Sequence, residues 1–174
     1  MRLFFALWPP PATARALADW AKGVARVAGG KPVAAENIHL TLAFLGDADP
    51  RKAITAAQQV RCEAFDLPIE VSEYWKHNQI LWAGPRRTPD PLDRLVTTLQ
   101  LELFRAEFIL ERRPFAAHVT LLRKARTPPT LQDLPPVQWP ARQFVLVQSR
   151  TSSEGPIYEI LRSFSLIASP PLTA

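Results

Sequence analysis

At 174 residues and 47% hydrophobic, the chain can bury one good core but not two independent ones, and no stretch approaches membrane-spanning length. Its net charge of +5 (pI about 9.9) comes mostly from arginine, whose planar fork suits phosphate. The accompanying excess of Ala and Pro is a compositional bias that needs no ligand, and the lone Cys62, with no Cys/His cluster at zinc-ligand spacing, excludes an internal disulfide or a zinc-held domain.

Arg2 to Trp8 reads as a buried strand halted by Pro9-Pro10-Pro11; its six-residue apolar stretch is too short for a secretory signal, so a soluble, cytoplasmic protein is expected. Ala12 to Val27 places Leu17, Trp20, Val24 and Val27 at helical spacing, and Gly29-Gly30 ends it. Asn37 to Leu45 is a second strand, closed by Gly46-Asp47. Asp49 to Phe65 reads as a helix containing Cys62, with Asp49 as N-cap and Pro50 at the first helical position. Pro68 to Trp75 alternates as a strand, and His77 follows in a polar, solvent-facing turn.

Gln79 to Ala83 is a short strand and Gly84 to Pro91 a turn-rich connection. Leu92 to Phe108 is an amphipathic helix carrying Leu92, Leu95, Val96, Leu99, Leu103 and Phe104. Ala117 to Leu122 is a strand. Thr127 to Pro140, with five prolines, is a loop; Gln143 to Ser149 and Pro156 to Leu166 are strands pairing around the turn at Ser152-Ser153-Glu154-Gly155.

Two of the three histidines occur in matched strings, His39-Leu40-Thr41-Leu42 and His118-Val119-Thr120-Leu121, each on a strand. Successive side chains on a strand take opposite faces, so His39 shares a face with Thr41, and His118 with Thr120. A lone His-x-Thr is commonly a satisfied core histidine beside a good strand former. Two copies 79 residues apart, each preceded by a strand and a helix, are not. We read a duplicated β-α-β unit: one domain over residues 1–174 whose two lobes are related by a pseudo-two-fold axis and face a shared cleft. The chemistry that needs two imidazoles is phosphodiester opening, in which one group takes a proton from water and the other protonates the departing alkoxide. The threonine hydroxyls would hold the non-bridging oxygens.

The strings Arg2-Leu3-Phe4-Phe5-Ala6-Leu7, Glu36 to Gly46 and His118-Val119-Thr120-Leu121-Leu122-Arg123 resemble the 2H phosphoesterase superfamily. Within it they are most similar to the RNA 2′,3′-cyclic phosphodiesterase family, historically called 2′-5′ RNA ligases; Ser152 to Leu161 resembles its closing hairpin. The resemblance implies a bilobal α/β (α+β) fold with antiparallel sheets and metal-independent opening of 2′,3′-cyclic phosphate to 2′-phosphate without cofactor. His39 would be proton donor and His118 proton acceptor. Thr41, Thr120 and Arg123 would bind the phosphate, with Phe44 and Tyr158 lining the cleft. The implied partners are RNA with 2′,3′-cyclic phosphate ends or small cyclic nucleotides, with no membrane and no obligate protein partner, as a monomer.

Arg123 has the wrong strand parity to face His118 unless the strand ends or bends, and Phe44 occupies the same offset in the first motif. The alternatives to hydrolysis are 2′-5′ joining of RNA ends by the same site and a non-catalytic RNA-binding module. Arg86-Arg87 and Arg112-Arg113 read as solvated surface pairs rather than an RNA track.

Overall fold

Short apolar runs punctuated by proline and glycine fold here into an antiparallel sheet backed by helices. The computed structural model describes residues 1–127 and 133–168. The strands are β1 (Arg2–Leu7), β2 (Lys31–Pro32), β3 (Leu40–Asp47), β4 (Phe65–Asp66), β5 (Val71–Trp75), β6 (Ile80–Gly84), β7 (Val119–Arg123), β8 (Pro140–Ala141), β9 (Gln143–Ser152) and β10 (Gly155–Ser165). The helices are α1 (Pro11–Ala28), α2 (Pro50–Ala57) and α3 (Asp90–Arg105). Residues 128–132 of the proline-rich connection lie outside the described part.

The main sheet runs β10-β9-β1-β3-β7-β6-β5, with β2 added to β7. Its order sets two similar strand–helix–strand units side by side. Each half contains a strand, a helix and a strand that a histidine immediately precedes (β1-α1-β3 and β6-α3-β7), and β3 and β7 are adjacent in the middle. There β3 and β7 touch through one antiparallel pair, Leu40 opposite Val119.

The helices cover the face opposite the histidines. Leu3, Phe5 and Leu7 alternate into a core with Leu40, Leu92, Leu95, Leu99, Leu121 and Leu146. Near the end of α1, Val24 and Ala28 pack with Leu81 and Leu122 of the other half, so the first repeat's helix supports the second repeat's strands. Asp49 caps α2, accepting from the Arg51 amide at 2.9 Å, with Pro50 in the first turn.

Three expectations about the elements are corrected. The helix from Asp49 stops at Ala57, and Cys62 lies in non-helical chain. The reason is tertiary: the amide of Ala64 donates to Ile167, the carbonyl of Cys62 accepts from Ile167, and Phe65–Asp66 pairs with Pro140–Ala141, so these backbone groups have partners outside a helix. Val27 and Phe104 face solvent at 85% and 74% exposure, because Ala28 and Leu103 hold the inward positions instead. Finally, His39 and His118 stand just before β3 and β7 rather than within them.

Candidate active site

Both histidines enter the site from an extended residue immediately upstream of a strand, and both are tethered the same way. Nδ1 of His39 lies 2.7 Å from the carbonyl of Asn37, and Nδ1 of His118 lies 2.8 Å from that of Ala116. A carbonyl only accepts, so each Nδ1 carries the proton and donates it; each Nε2 is left to exchange protons with a ligand. The Leu40–Val119 pair sets the two motifs side by side across the pseudo-two-fold axis. On that antiparallel register, the positions flanking the pair bring His39 toward Thr120 and Thr41 toward His118. Thr41 and Thr120 are half-buried, and among the described residues neither hydroxyl is hydrogen-bonded.

The parity problem at Arg123 is resolved by a β-bulge. On β7, Thr120 pairs with Trp82 and Leu122 with Leu81, so Leu121 is an extra residue. The extra residue inverts the alternation, and Arg123 returns to the face of Thr120. Burial is the larger cause of the two histidines' weak basicity and the Arg123 cation adds to it, while the same cation opposes the upward push that burial gives the Tyr158 phenol. The first motif repeats the device: Thr41 pairs with Ala6 and Ala43 with Phe5, so Leu42 is extra. Phe44 is therefore the counterpart of Arg123, and it meets Phe4 on the same face with ring centroids 5.7 Å apart.

Aromatic rings enclose each imidazole. Trp8 stacks on His39 at 4.8 Å and 10°, held by its indole N–H donating to Glu36. Phe4 lies 5.1 Å from the same ring, and Tyr158 meets it edge-on at 5.1 Å. His118 is flanked by Trp75 at 4.8 Å and Trp82 at 6.4 Å. This burial is the main cause of the histidines' weak basicity: it pulls His39 down to about 4, against the support of Asn37, and lowers His118 in the same direction. Burial also raises the Tyr158 phenol.

The sequence-predicted residues His39, His118, Thr41, Thr120, Arg123, Phe44 and Tyr158 thus share one face of the sheet. His77 sits in an exposed turn, 6.2 Å from Trp75. Phe4, Trp8, Trp75 and Trp82 are neighbours of the histidines that the His-x-Thr strings do not identify. Strand parity was the available signal, because Phe4, Ala6 and Trp8 alternate toward the face that Thr41 occupies. A hollow of about 450 Å³ between α2 and α3, lined by Lys52, Thr55, Gln59 and Glu102 among others, contains none of these residues.

Two backbone-tethered imidazoles, neither with an Nε2 partner among the described residues, set side by side on one sheet, are the arrangement of a two-histidine phosphoesterase. The family model described as "LigT like Phosphoesterase" matches residues 7–82. The chain belongs to the RNA 2′,3′-cyclic phosphodiesterase family: it is 32% identical to the RNA 2′,3′-cyclic phosphodiesterase of Escherichia coli (strain K12), over 95% of this chain and 96% of that one. The crystal structure of E. coli LigT in apo form superposes with a TM-score of 0.86 at 32% identity, covering 95% of this chain and 97% of that one. The same E. coli protein complexed with 3′-AMP gives 0.87 at 29% identity, covering 95% and 98%.

Proposed function

We propose that this chain opens the 2′,3′-cyclic phosphate at RNA ends to a 2′-phosphate, using His118 as proton acceptor and His39 as proton donor. The observation that carries this reading is the matched pair of Nδ1–H···O=C tethers on two motifs joined by the Leu40–Val119 pair, which leaves both Nε2 atoms to exchange protons with a ligand. Water attacks phosphorus as its proton passes to Nε2 of His118; the P–O3′ bond breaks as Nε2–H of His39 protonates the departing oxygen. Thr41, Thr120 and Arg123 bind the non-bridging oxygens, where charge builds in the transition state.

Burial holds His39 at about 4, so once protonated it gives up its proton readily, and the negative charge of a bound phosphate supports that protonated form. Phe44 and Tyr158 line the cleft. Residues 1–174 act as one two-lobed unit, each half supplying one histidine, so a monomer suffices. Its partners are RNA with 2′,3′-cyclic phosphate ends or small cyclic nucleotides, encountered in the cytoplasm.

The test is incubation in EDTA with an oligoribonucleotide ending in a 2′,3′-cyclic phosphate, with products resolved by phosphorus NMR. The wild-type chain yields the 2′-phosphate, and His39→Ala and His118→Ala each slow turnover by about 10²-fold or more while still binding RNA. Binding without turnover by the wild-type chain overturns the hydrolase reading in favour of a binding module.

A further inference from the structure

The two halves of the site are built on the same plan but differ at one equivalent position. The second bulge delivers a cation, Arg123, whose charge is felt by both histidines; the first delivers Phe44, an aromatic ring 51% exposed. A phosphate centre flanked by charge on one side and a flat apolar surface on the other is suited to a nucleotide lying toward the first half. Phe4, in contact with both His39 and Phe44, makes that surface continuous with the site.

Arg2 lies two residues beyond Phe4 on β1, on the same face and about 7 Å further along the strand. It stands in register with Ser149 of β9, which in turn faces Tyr158 of β10, and its charge acts on the Tyr158 phenol that packs against His39. Among the described residues, Arg2 is exposed and forms no ion pair. Asp47, directly across the ladder, instead holds the N-terminal ammonium at 3.3 Å. Arg2 and Phe44 line one open groove of about 370 Å³ with Leu45, Gly46, Ile109 and Glu111. The Glu111 carboxylate does not neutralise the groove, because Arg113 engages both its oxygens at 3.2 and 3.3 Å.

We propose that Arg2, beside Phe44, binds the phosphodiester that joins the terminal nucleotide to the rest of the RNA chain, so that the site favours polynucleotide ends over cyclic mononucleotides. The inference rests on the hydrolase reading. It adds a subsite whose ligand is an internucleotide phosphate, held by the unpaired guanidinium while the adjoining apolar surface carries a base.

The experiment compares kcat/KM for cytidine 2′,3′-cyclic phosphate with that for the dinucleotide CpC ending in the same cyclic phosphate, in wild type and Arg2→Gln. Wild type is expected to favour the dinucleotide, and Arg2→Gln to reduce that preference about tenfold through the dinucleotide KM, with Arg2→Lys restoring part of it. An unchanged substrate ratio in Arg2→Gln, or a wild type indifferent to the second nucleotide, overturns the subsite while leaving the hydrolase reading intact. A wild type that turns over neither substrate removes the hydrolase reading itself, and the subsite with it.

Discussion

At the scale of single residues, the site holds two imidazoles in an apolar, ring-lined environment that disfavours their charged forms. This has a cost that can be read in stability. An imidazole that titrates lower in the folded chain than in the unfolded one binds fewer protons when folded, so acidification favours unfolding. The stabilisation is complete above the ordinary histidine value of 6.5 and drains away as the pH falls toward 4, where His39 itself titrates in the folded chain. Its contribution to the loss is up to about 3 kcal/mol, and His118 adds to it with the same sign. Urea unfolding followed between pH 6.5 and 5 is expected to show stability falling with pH, and His39→Phe, which keeps a ring against Trp8 and Tyr158, to flatten the fall. An identical slope in the variant would mean that His39 is not the buried neutral group described above. Its tether to Asn37 explains why the ring can remain neutral without losing orientation: the Nδ1 proton is held by the backbone whether or not Nε2 is charged.

Among the secondary-structure elements, the histidine strands depend on close approach of the chain just upstream of them. A Cβ on Gly84 would sit 2.9 Å from the carbonyl oxygen of Ala117, which lies between the carbonyl that tethers His118 and His118 itself. Neither backbone can yield cheaply there, so Gly84→Ala is expected to lower stability by roughly 1–3 kcal/mol and to reduce kcat more than it raises KM, by displacing the His118 ring. Unchanged kcat in a folded Gly84→Ala chain would show that the tether tolerates that shift. The same local detail marks what the sequence could convey. Asp49-Pro50, the glycine stop after α1 and the repeated His-x-Thr strings are local signals, and each is found where periodicity and capping chemistry put it. The helix end at Ala57 and the position of Cys62 depend on partners more than seventy residues away, at Pro140–Ala141 and Ile167, which no local window contains. The bulges at Leu42 and Leu121 are likewise pairing properties: on a perfect alternation Arg123 points away, and only the register with β6 brings it back. The aromatic rings around the histidines lay between these cases, since parity placed Phe4 and Trp8 on the right face but contact with His39 needed the tertiary fold.

For the molecule as a whole, two half-sites meet at the Leu40–Val119 pair and along β2–β7, with the helix of one half packed beneath the other. Neither half holds both imidazoles, so the proposed reaction places its phosphate at the sheet's mid-line, between His39 and His118. This bears on the meaning of the +5 net charge. If the charge were a track for RNA, arginines remote from the mid-line would engage the backbone. Arg86 and Arg87 are exposed in the turn after β6, and Arg113 is already paired with Glu111. On the proposed reading, Arg123 holds the reacting phosphate and Arg2 the next one. For a single strand, each neutralised phosphate contributes about −0.7 to the slope of log affinity against log salt concentration. With two contacts, log kcat/KM for a ten-nucleotide RNA bearing a cyclic phosphate is expected to fall with a slope of about −0.7 to −1.4, and the same slope should hold for a trinucleotide. A slope steeper than about −2.5 that appears only with the longer RNA would show that the outlying arginine pairs bind the chain, and that the basic composition is a recognition surface rather than a compositional bias.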